Sequence, residues 1–112
     1  MQITTRTNGD TLVVQVHESR IDAAVAIQFK DTMRGLIEAA PARLVLDLSR
    51  VEFIDSSGLG ATVAVMKLLA PDRSLELAGL TPAVAKVFRL THMNRVFTIH
   101  ENPPQARCPS AG

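Results

Sequence analysis

The sequence contains no tyrosine and no tryptophan, and its only aromatic residues are four phenylalanines. Its formal net charge is +1, with 12 basic and 11 acidic residues scattered along the chain. Proteins that bind nucleic acid directly usually present a basic face or aromatic rings on which bases stack. Because the sequence offers neither feature, we expect no direct contact with nucleic acid.

A single cysteine, Cys108, rules out a disulfide within the chain and is typical of a reducing compartment. The chain does not begin with a basic segment followed by an apolar run, so we expect no signal peptide. The longest apolar stretch, residues 59–70, is too short and too interrupted to cross a bilayer. These features predict a cytoplasmic protein that does not insert into a membrane.

Strand and helix patterns alternate along the chain in the order ββαβαβαβ. The predicted strands cover residues 2–7, 11–17, 43–48, 74–78 and 96–99, and the predicted helices follow the cap Asp22, cover residues 61–69 and begin at Pro82 after the cap Thr81. Strands that alternate with helices form largely parallel sheets with right-handed crossovers. We predict an α/β fold, with a single mixed, largely parallel sheet of four to five strands packed with about three helices.

The length and composition fit one domain. Hydrophobic residues make up 46% of the 112 residues, which is enough to build a core. Asn102 is followed by two prolines, and regular patterning ends there. We therefore predict one domain over residues 1–101 and a mobile C-terminal tail over residues 102–112.

The predicted strand at residues 43–48 has a continuous apolar centre, which indicates a strand buried on both faces. The segment Asp55–Gly60 lies between this strand and the apolar helix at residues 61–69. Functional sites in parallel α/β sheets form beyond the carboxyl ends of the strands. The hydroxyls of Ser56 and Ser57 should lie at the helix N-terminus, where unpaired backbone N–H groups and the helix dipole favour negative charge. Gly58 and Gly60 keep side chains away and would let another molecule approach the backbone closely.

Two interpretations of this segment are compatible with each other. Asp, Ser and Gly are common capping residues, so the segment is explained by helix capping alone. A phosphorylated serine would add about −1.5 to −2 charges at a place that accepts an anion. Asp55 and Asp22 would oppose that charge, and a local change of charge could act as a switch. Physical reasoning does not choose between the two hydroxyls.

Several segments resemble the STAS-domain anti-sigma factor antagonists of bacteria. The matching segments are residues 20–22 (RID), 44–48 (LVLDL), 51–60 (VEFIDSSGLG) and 77–88 (LAGLTPAVAKVF). The resemblance extends from about residue 13 to residue 99, which is nearly the whole globular part. It implies the STAS fold for the domain predicted over residues 1–101.

The resemblance also implies a function in transcription regulation by partner switching. The unphosphorylated antagonist would bind an anti-sigma factor with serine kinase activity, which then frees a sigma factor. Phosphorylation would end that complex, and a PP2C-type phosphatase would reverse it. The resemblance assigns the phosphoacceptor to Ser56 and a mainly structural part to Ser57. The implied surroundings of the site, which would contact the partner, are Asp22, Asp55, Ser57, Gly58, Leu59 and Gly60.

The sequence departs from the family pattern at several positions. The family usually has glycine where Ser19 stands and often an acidic residue where Arg20 stands. Residues 92–93 (HM) replace a common Gly-Leu before the last strand, and Pro103 and Pro104 cut short the C-terminal helix of many members. The departures beside the site bear on the choice of partner more than on the fold.

An alternative function is that of a scaffold, because a fold does not determine a function. An unphosphorylated STAS module could be a subunit of a membrane transporter or of a signalling assembly. The helix at residues 61–69 would dock it, since only Thr62 and Lys67 interrupt its apolar surface. Binding would then be indifferent to charge at Ser56.

An enzyme is the least favoured class, and we expect neither a cofactor nor a metal. The chain has no phosphate loop of the Walker type and no catalytic triad signature. The three histidines are far apart and show no ligand spacing: His17, His92 and His100. Asp47 and Asp55 lack an accompanying nucleophile, so we interpret Asp47 as a strand-end residue. Cys108 lacks an activating environment in the predicted tail.

Overall fold

A computed structural model of the chain describes residues 2–102, which contain seven strands, three α-helices and one turn of 3₁₀-helix. The strands are β1 (Ile3–Asn8), β2 (Thr11–Val16), β3 (Arg20–Ile21), β4 (Arg43–Asp47), β5 (Phe53–Ile54), β6 (Ser74–Ala78) and β7 (Thr98–His100). The helices are α1 (Ala23–Ile37), α2 (Ser56–Leu69) and α3 (Pro82–Leu90), and the 3₁₀ turn is Met93–Arg95. The tail predicted over residues 102–112, with Cys108, lies outside the described residues apart from Asn102.

The main sheet has five strands in the order β1-β2-β4-β6-β7. β1 is antiparallel to β2, and each of the other neighbouring pairs is parallel. Gly9 occupies the two-residue turn of the β1–β2 hairpin with a φ of 65°, a conformation that glycine adopts at little cost. The predicted mixed α/β fold and the order ββαβαβαβ of its main elements are confirmed.

A second, two-stranded parallel sheet joins β3 to β5. Arg20 is the register partner of Phe53, and Ile21 is the register partner of Ile54. Ile21 and Ile54 are buried in the core. We predicted a single sheet without this pair, because strands of two residues are too short to show the alternation of apolar and polar residues.

The three helices contribute side chains to one core on one face of the main sheet. The sheet residues of this core include Val14, Val16, Leu44, Leu46 and Leu77. The helical residues include Phe29 and Met33 of α1, Val65 of α2, and Val84 and Phe88 of α3. Alternate strand residues point to the opposite face, where Val13, Val45 and Ala78 form a separate small cluster. The two faces explain the continuous apolar run in β4.

Helix α2 packs most of its apolar surface into the protein. Ala61, Val65 and Leu69 are buried in the core. Leu68, with 46% of its surface exposed, is the most exposed large apolar residue of α2, while Leu59, Val63 and Met66 are partly buried against the core. The apolar composition of residues 61–69 is therefore explained mainly by packing, which leaves little apolar surface for docking.

Two predicted element boundaries were clearly wrong, whereas the predicted start of α3 at Pro82, directly after Thr81, is confirmed. Helix α2 begins at Ser56 rather than at residue 61, because the segment before the apolar run is already helical. The last strand covers Thr98–His100, since a 3₁₀ turn precedes it. Thr81 occupies the N-cap position of α3 but accepts no backbone N–H there. Its hydroxyl donates instead to the Val51 carbonyl at 2.7 Å, which ties α3 to the loop before β5.

Within residues 2–102, no helix has both the length and the apolar character needed to cross a membrane.

Candidate functional site

The two short strands β3 and β5 each lead directly into a helix. Asp22 follows β3 and caps α1 with φ −109° and ψ −170°. Asp55 follows β5 and caps α2 with φ −106° and ψ −173°. Because Ile21 and Ile54 are register partners in a parallel pair, the two caps lie side by side and both helices begin at the same edge. The positive ends of two helix dipoles therefore meet there.

Asp22 accepts three hydrogen bonds. Its Oδ1 accepts the backbone N–H groups of Ala24 at 3.1 Å and Val25 at 3.3 Å. Its Oδ2 accepts Nε of Arg20 at 3.3 Å. Desolvation raises the pKa of Asp22, but the hydrogen bonds from Arg20 and the two backbone groups favour the carboxylate and leave the pKa below its ordinary value. The expected capping role of Asp22 is therefore observed.

Asp55 performs the capping at the N-terminus of α2. Its Oδ1 accepts the backbone N–H of Gly58 at 3.0 Å. Ser56 and Ser57 occupy the first two helical positions, where both side chains are exposed. Neither hydroxyl has a hydrogen-bond partner among residues 2–102. The side-chain cap is thus made by Asp55 and by neither serine, so both hydroxyls remain available.

Gly58 is buried where α2 crosses β3. A Cβ atom built on Gly58 would lie 2.2 Å from the Ile21 carbonyl oxygen and 2.8 Å from Cγ1 of Ile54. The close approach that this glycine permits is therefore internal to the protein, rather than the approach of another molecule that we expected. Gly60 is exposed and has nothing within 4 Å of its built Cβ. Leu59 is half-buried and packs against the core.

An arginine–phenylalanine stack lies on the same two-stranded sheet. The Arg20 guanidinium carbon is 4.5 Å from the ring centroid of Phe53, within the range of a cation–π contact. Phe53 is 41% exposed although it belongs to a strand. The Ser19 carbonyl accepts the backbone N–H groups of Glu52 and Phe53 and holds the loops before the two strands together. Arg20 and Phe53 both lie in segments that carry the family resemblance, residues 20–22 and 51–60, but the sequence predicted no contact between them.

A shallow depression of about 460 Å³ lies where the chain enters these two strands. It is lined by His17, Glu18, Ser19, Ser49, Arg50 and Glu52. Asp47, the last residue of β4 as expected, orders this loop by accepting the Ser49 backbone N–H at 2.9 Å. Over the described part of the chain, no group of three or more His, Cys, Asp and Glu residues could hold a metal ion.

A second charged cluster lies away from this edge, on the sheet. Glu76 accepts two hydrogen bonds from Arg43, at 2.7 and 2.8 Å, and is 2.7 Å from Nε2 of His100. The bonds from Arg43 outweigh the opposing desolvation and, with those from His100 and Ser74, lower the pKa of Glu76 to about 2. His100 therefore lies on a strand, within hydrogen-bond distance of the Arg43–Glu76 ion pair. We assign this cluster to stability.

The model of the STAS domain family matches residues 2–106, which is nearly the whole chain. The chain belongs to the STAS family. BtrV from Bordetella bronchiseptica, which is named as an anti-sigma factor antagonist, is 28% identical to this chain over 91 residues. The match covers 80% of this chain and 78% of BtrV.

Solved structures agree with that assignment. An anti-sigma factor antagonist from Mycobacterium paratuberculosis superposes with a TM-score of 0.80 and 25% identity, covering 94% of this STAS domain and 87% of that chain. The Bacillus cell fate determinant SpoIIAA in its phosphorylated form superposes with a TM-score of 0.66 and 19% identity, covering 94% of both chains. The first likeness confirms the resemblance to antagonists, and the second shows the shared fold.

Proposed function

We propose that this STAS protein is an anti-sigma factor antagonist that acts by partner switching and carries its phosphoacceptor at Ser56. The observation that carries the proposal is that Asp55, and neither serine, caps the start of α2. Asp55 makes the capping hydrogen bond to Gly58 N–H, so the exposed Ser56 hydroxyl has no structural duty. The choice of Ser56 over Ser57 rests on the family resemblance, since both hydroxyls are exposed.

The modification would be a phosphoryl transfer from ATP. The Ser56 oxygen forms a bond to the γ-phosphorus while the bond from that phosphorus to its bridging oxygen breaks. ADP leaves, and the hydroxyl proton passes to a base on the partner, an anti-sigma factor with serine kinase activity. A PP2C-type phosphatase reverses the change with water and releases inorganic phosphate.

The surface around Ser56 favours close contact by a partner before phosphorylation. Small exposed residues begin both helices, with Ala23 and Ala24 on α1 and Ser57 and Gly60 on α2. Little side-chain bulk therefore separates a partner from the two helix N-termini. The unphosphorylated protein would bind the anti-sigma factor here and cause release of the sigma factor.

Phosphorylation would change this surface by charge and by volume. The phosphate brings about −1.5 to −2 charges into a place already bordered by Asp22 and Asp55. It also fills the space at the helix N-terminus that a partner would otherwise reach. A partner that fits the neutral surface is therefore excluded without a large rearrangement. SpoIIAA, which shares the fold, exists in phosphorylated and unphosphorylated forms, and this supports the proposal.

A capture experiment tests the proposal. Wild type, Ser56→Ala, Ser56→Asp and the matched control Ser57→Ala are used to isolate partners from the native lysate, and captured proteins are identified by mass spectrometry. We expect all variants except Ser56→Asp to retain a kinase-like anti-sigma factor. Incubation of the captured complex with ATP should then add one phosphate to wild type and to Ser57→Ala, but none to Ser56→Ala. Phosphate on Ser57 alone, or no phosphate at all, would overturn the assignment.

The scaffold function remains the alternative outcome of the same experiment. It would require one membrane or signalling protein to be captured equally by all four variants. The burial of Ala61, Val65 and Leu69 in the core leaves α2 with little apolar surface for such docking. For that reason we place the partner surface at the helix N-termini instead.

A further inference from the structure

The guanidinium of Arg20 lies above the two-stranded sheet and is held from two sides. The ring of Phe53 lies 4.5 Å beneath it, and Oδ2 of Asp22 accepts its Nε at 3.3 Å. The side chain is nevertheless 59% exposed. Within residues 2–102, Nε is the one side-chain nitrogen of Arg20 that makes a hydrogen bond, so the two terminal nitrogens have no partner there.

The strand register places this group close to the proposed phosphoacceptor. Arg20 pairs with Phe53, and Asp55 N–H reaches the Ile21 carbonyl at 3.4 Å, so Asp22 and Asp55 continue the two strands at the same level. The bond from Arg20 to Asp22 draws the guanidinium forward to that level. Ser56 is the next residue along the chain. We therefore expect rotation about the terminal side-chain bonds of Arg20 to turn the guanidinium towards Ser56.

The local charges favour such a movement once a phosphate is present. In residues 19–24 and 52–60, which form the two strands and the beginnings of both helices, Arg20 is the sole basic residue. The same two segments contain three acidic residues, Asp22, Glu52 and Asp55, and the two caps Asp22 and Asp55 lie beside Ser56. A phosphate on Ser56 would carry more charge than the Asp22 carboxylate and could accept two parallel bonds from a guanidinium. The present pair is a single, largely exposed contact, which is weak.

We propose that Arg20 is the internal counter-ion of the phosphate on Ser56, and that its guanidinium leaves Asp22 and Phe53 when the phosphate is added. This inference rests on the proposed function, which places the phosphate at Ser56. Phosphorylation then alters the docking surface in two ways. It adds charge at Ser56, and it uncovers the aromatic face of Phe53.

The test uses the full chain with phosphoserine incorporated at position 56 during synthesis, and ³¹P NMR to titrate the phosphate. The second pKa of phosphoserine is ordinarily about 6, and a paired guanidinium lowers it. We expect Arg20→Gln to raise this pKa by about 0.5 relative to wild type, a roughly threefold change in proton affinity. Arg50→Gln removes the same charge from the neighbouring loop and should change the pKa by less than about 0.2. Equal changes in the two variants would overturn the proposal.

The Phe53 ring gives a second readout that a purely structural role of Arg20 would not produce. In wild type, the aromatic ¹H–¹³C signals of Phe53 should move on phosphorylation, because the cation leaves the ring face. In Arg20→Gln they should move much less, since no cation is there to leave, and an equal movement would contradict the proposal.

The two proposals fail separately. The phosphate is installed without a kinase, so the NMR result for Arg20 is readable even if no kinase partner is ever captured. Conversely, capture and phosphorylation at Ser56 could succeed while Arg20→Gln and Arg50→Gln give the same pKa. In that case the switch would stand, and only the role of Arg20 would be wrong.

Discussion

The molecule contains the same local device twice, once before α1 and once before α2. Each copy is a two-residue strand, a buried isoleucine, an aspartate in nearly the same extended conformation, and a helix. The copies differ in the residues after the cap, which are Ala23-Ala24-Val25 in α1 and Ser56-Ser57-Gly58 in α2. Backbone geometry alone therefore does not make a candidate site, since both helices offer it. The hydroxyls distinguish α2 from α1.

The two copies are also unequal in how they are held. Asp22 accepts two backbone N–H groups and Arg20, whereas Asp55 accepts the single N–H of Gly58. The start of α2 instead packs directly against the main chain of β3, because Gly58 has no side chain to separate them. The start of α1 thus depends on hydrogen bonds to a side chain, and the start of α2 depends more on main-chain contact.

The largest expected effect is that of breaking this main-chain contact. Gly58→Ala places a methyl group 2.2 Å from the Ile21 carbonyl oxygen, and we expect it to lower the free energy of unfolding by about 3 kcal/mol. Gly60→Ala is the matched control two residues along the same helix. Its methyl meets nothing within 4 Å, so it should raise the free energy of unfolding by about 0.5–1 kcal/mol. Urea unfolding followed by circular dichroism measures both, and equal effects would refute the packing argument.

A substitution at Glu76, which is remote from both helix starts, should lower the stability of the whole domain without changing how the two helix starts differ. Glu76→Gln removes the carboxylate that Arg43 and His100 share and should cost about 2 kcal/mol at pH 7, because Arg43 is partly exposed and needs less compensation than a fully buried charge. The pKa of Glu76 is lowered from 4.5 to about 2 in the folded state. Its stabilising contribution is therefore complete above pH 4.5 and is lost as the pH falls towards 2.

The measurement for this prediction is the difference in unfolding free energy between wild type and Glu76→Gln, taken from urea curves between pH 7 and pH 3. That difference should shrink steadily below pH 4.5. A gap that remains constant down to pH 3 would show that Glu76 acts by packing rather than by charge.

The smallest effects come from the two caps themselves, and they compare the copies directly. Asp55→Ala should cost about 1 kcal/mol, the usual loss for a helix N-cap. Asp22→Ala should cost more than Asp55→Ala, since it removes two backbone bonds and the partner of Arg20. The Asp22→Ala loss should fade below pH 3.8, because the pKa of Asp22 is lowered and the charged form stabilises the fold above it. Thermal unfolding of both variants across pH provides the check.

Asparagine variants separate the two duties of these aspartates. Asn caps a helix almost as well as Asp. Asp55→Asn should therefore restore nearly all of the stability lost in Asp55→Ala. Asp22→Asn should restore only part of the loss in Asp22→Ala, because a neutral amide cannot form the ion pair with Arg20. Equal recovery at the two positions would remove the distinction drawn between the copies.

Much of the fold could be predicted from the sequence because its long elements carry strong periodic patterns. The strand pattern of β4, the cap Asp22 before α1 and the Thr81-Pro82 start of α3 each predicted an element that the structure contains. The STAS fold was predicted from the family resemblance, above all that of residues 51–60 in their strand–helix context. In each case local propensity and tertiary packing favour the same structure.

The rest depended on contacts between distant parts of the chain. The helical start at Ser56 was missed because two serines and two glycines in its first turns have low helix propensity. Packing against Ile21 and the Asp55 cap overcome that disadvantage. The Arg20–Phe53 stack has no sequence signal, since 33 residues separate the two and their pairing depends on two-residue strands. The identity of the phosphoacceptor stays a prediction.

The contact between Gly58 and the Ile21 carbonyl has a consequence for how this surface can evolve. The position of α2 is set there by two stretches of main chain, and the exposed residues beside it take no part in that contact. Substitutions at exposed positions such as 20, 56, 57 and 60 can therefore accumulate without displacing the helix. Paralogues in one cell could therefore come to bind different partners by changing a few surface side chains, while the packing of α2 on β3 stays the same.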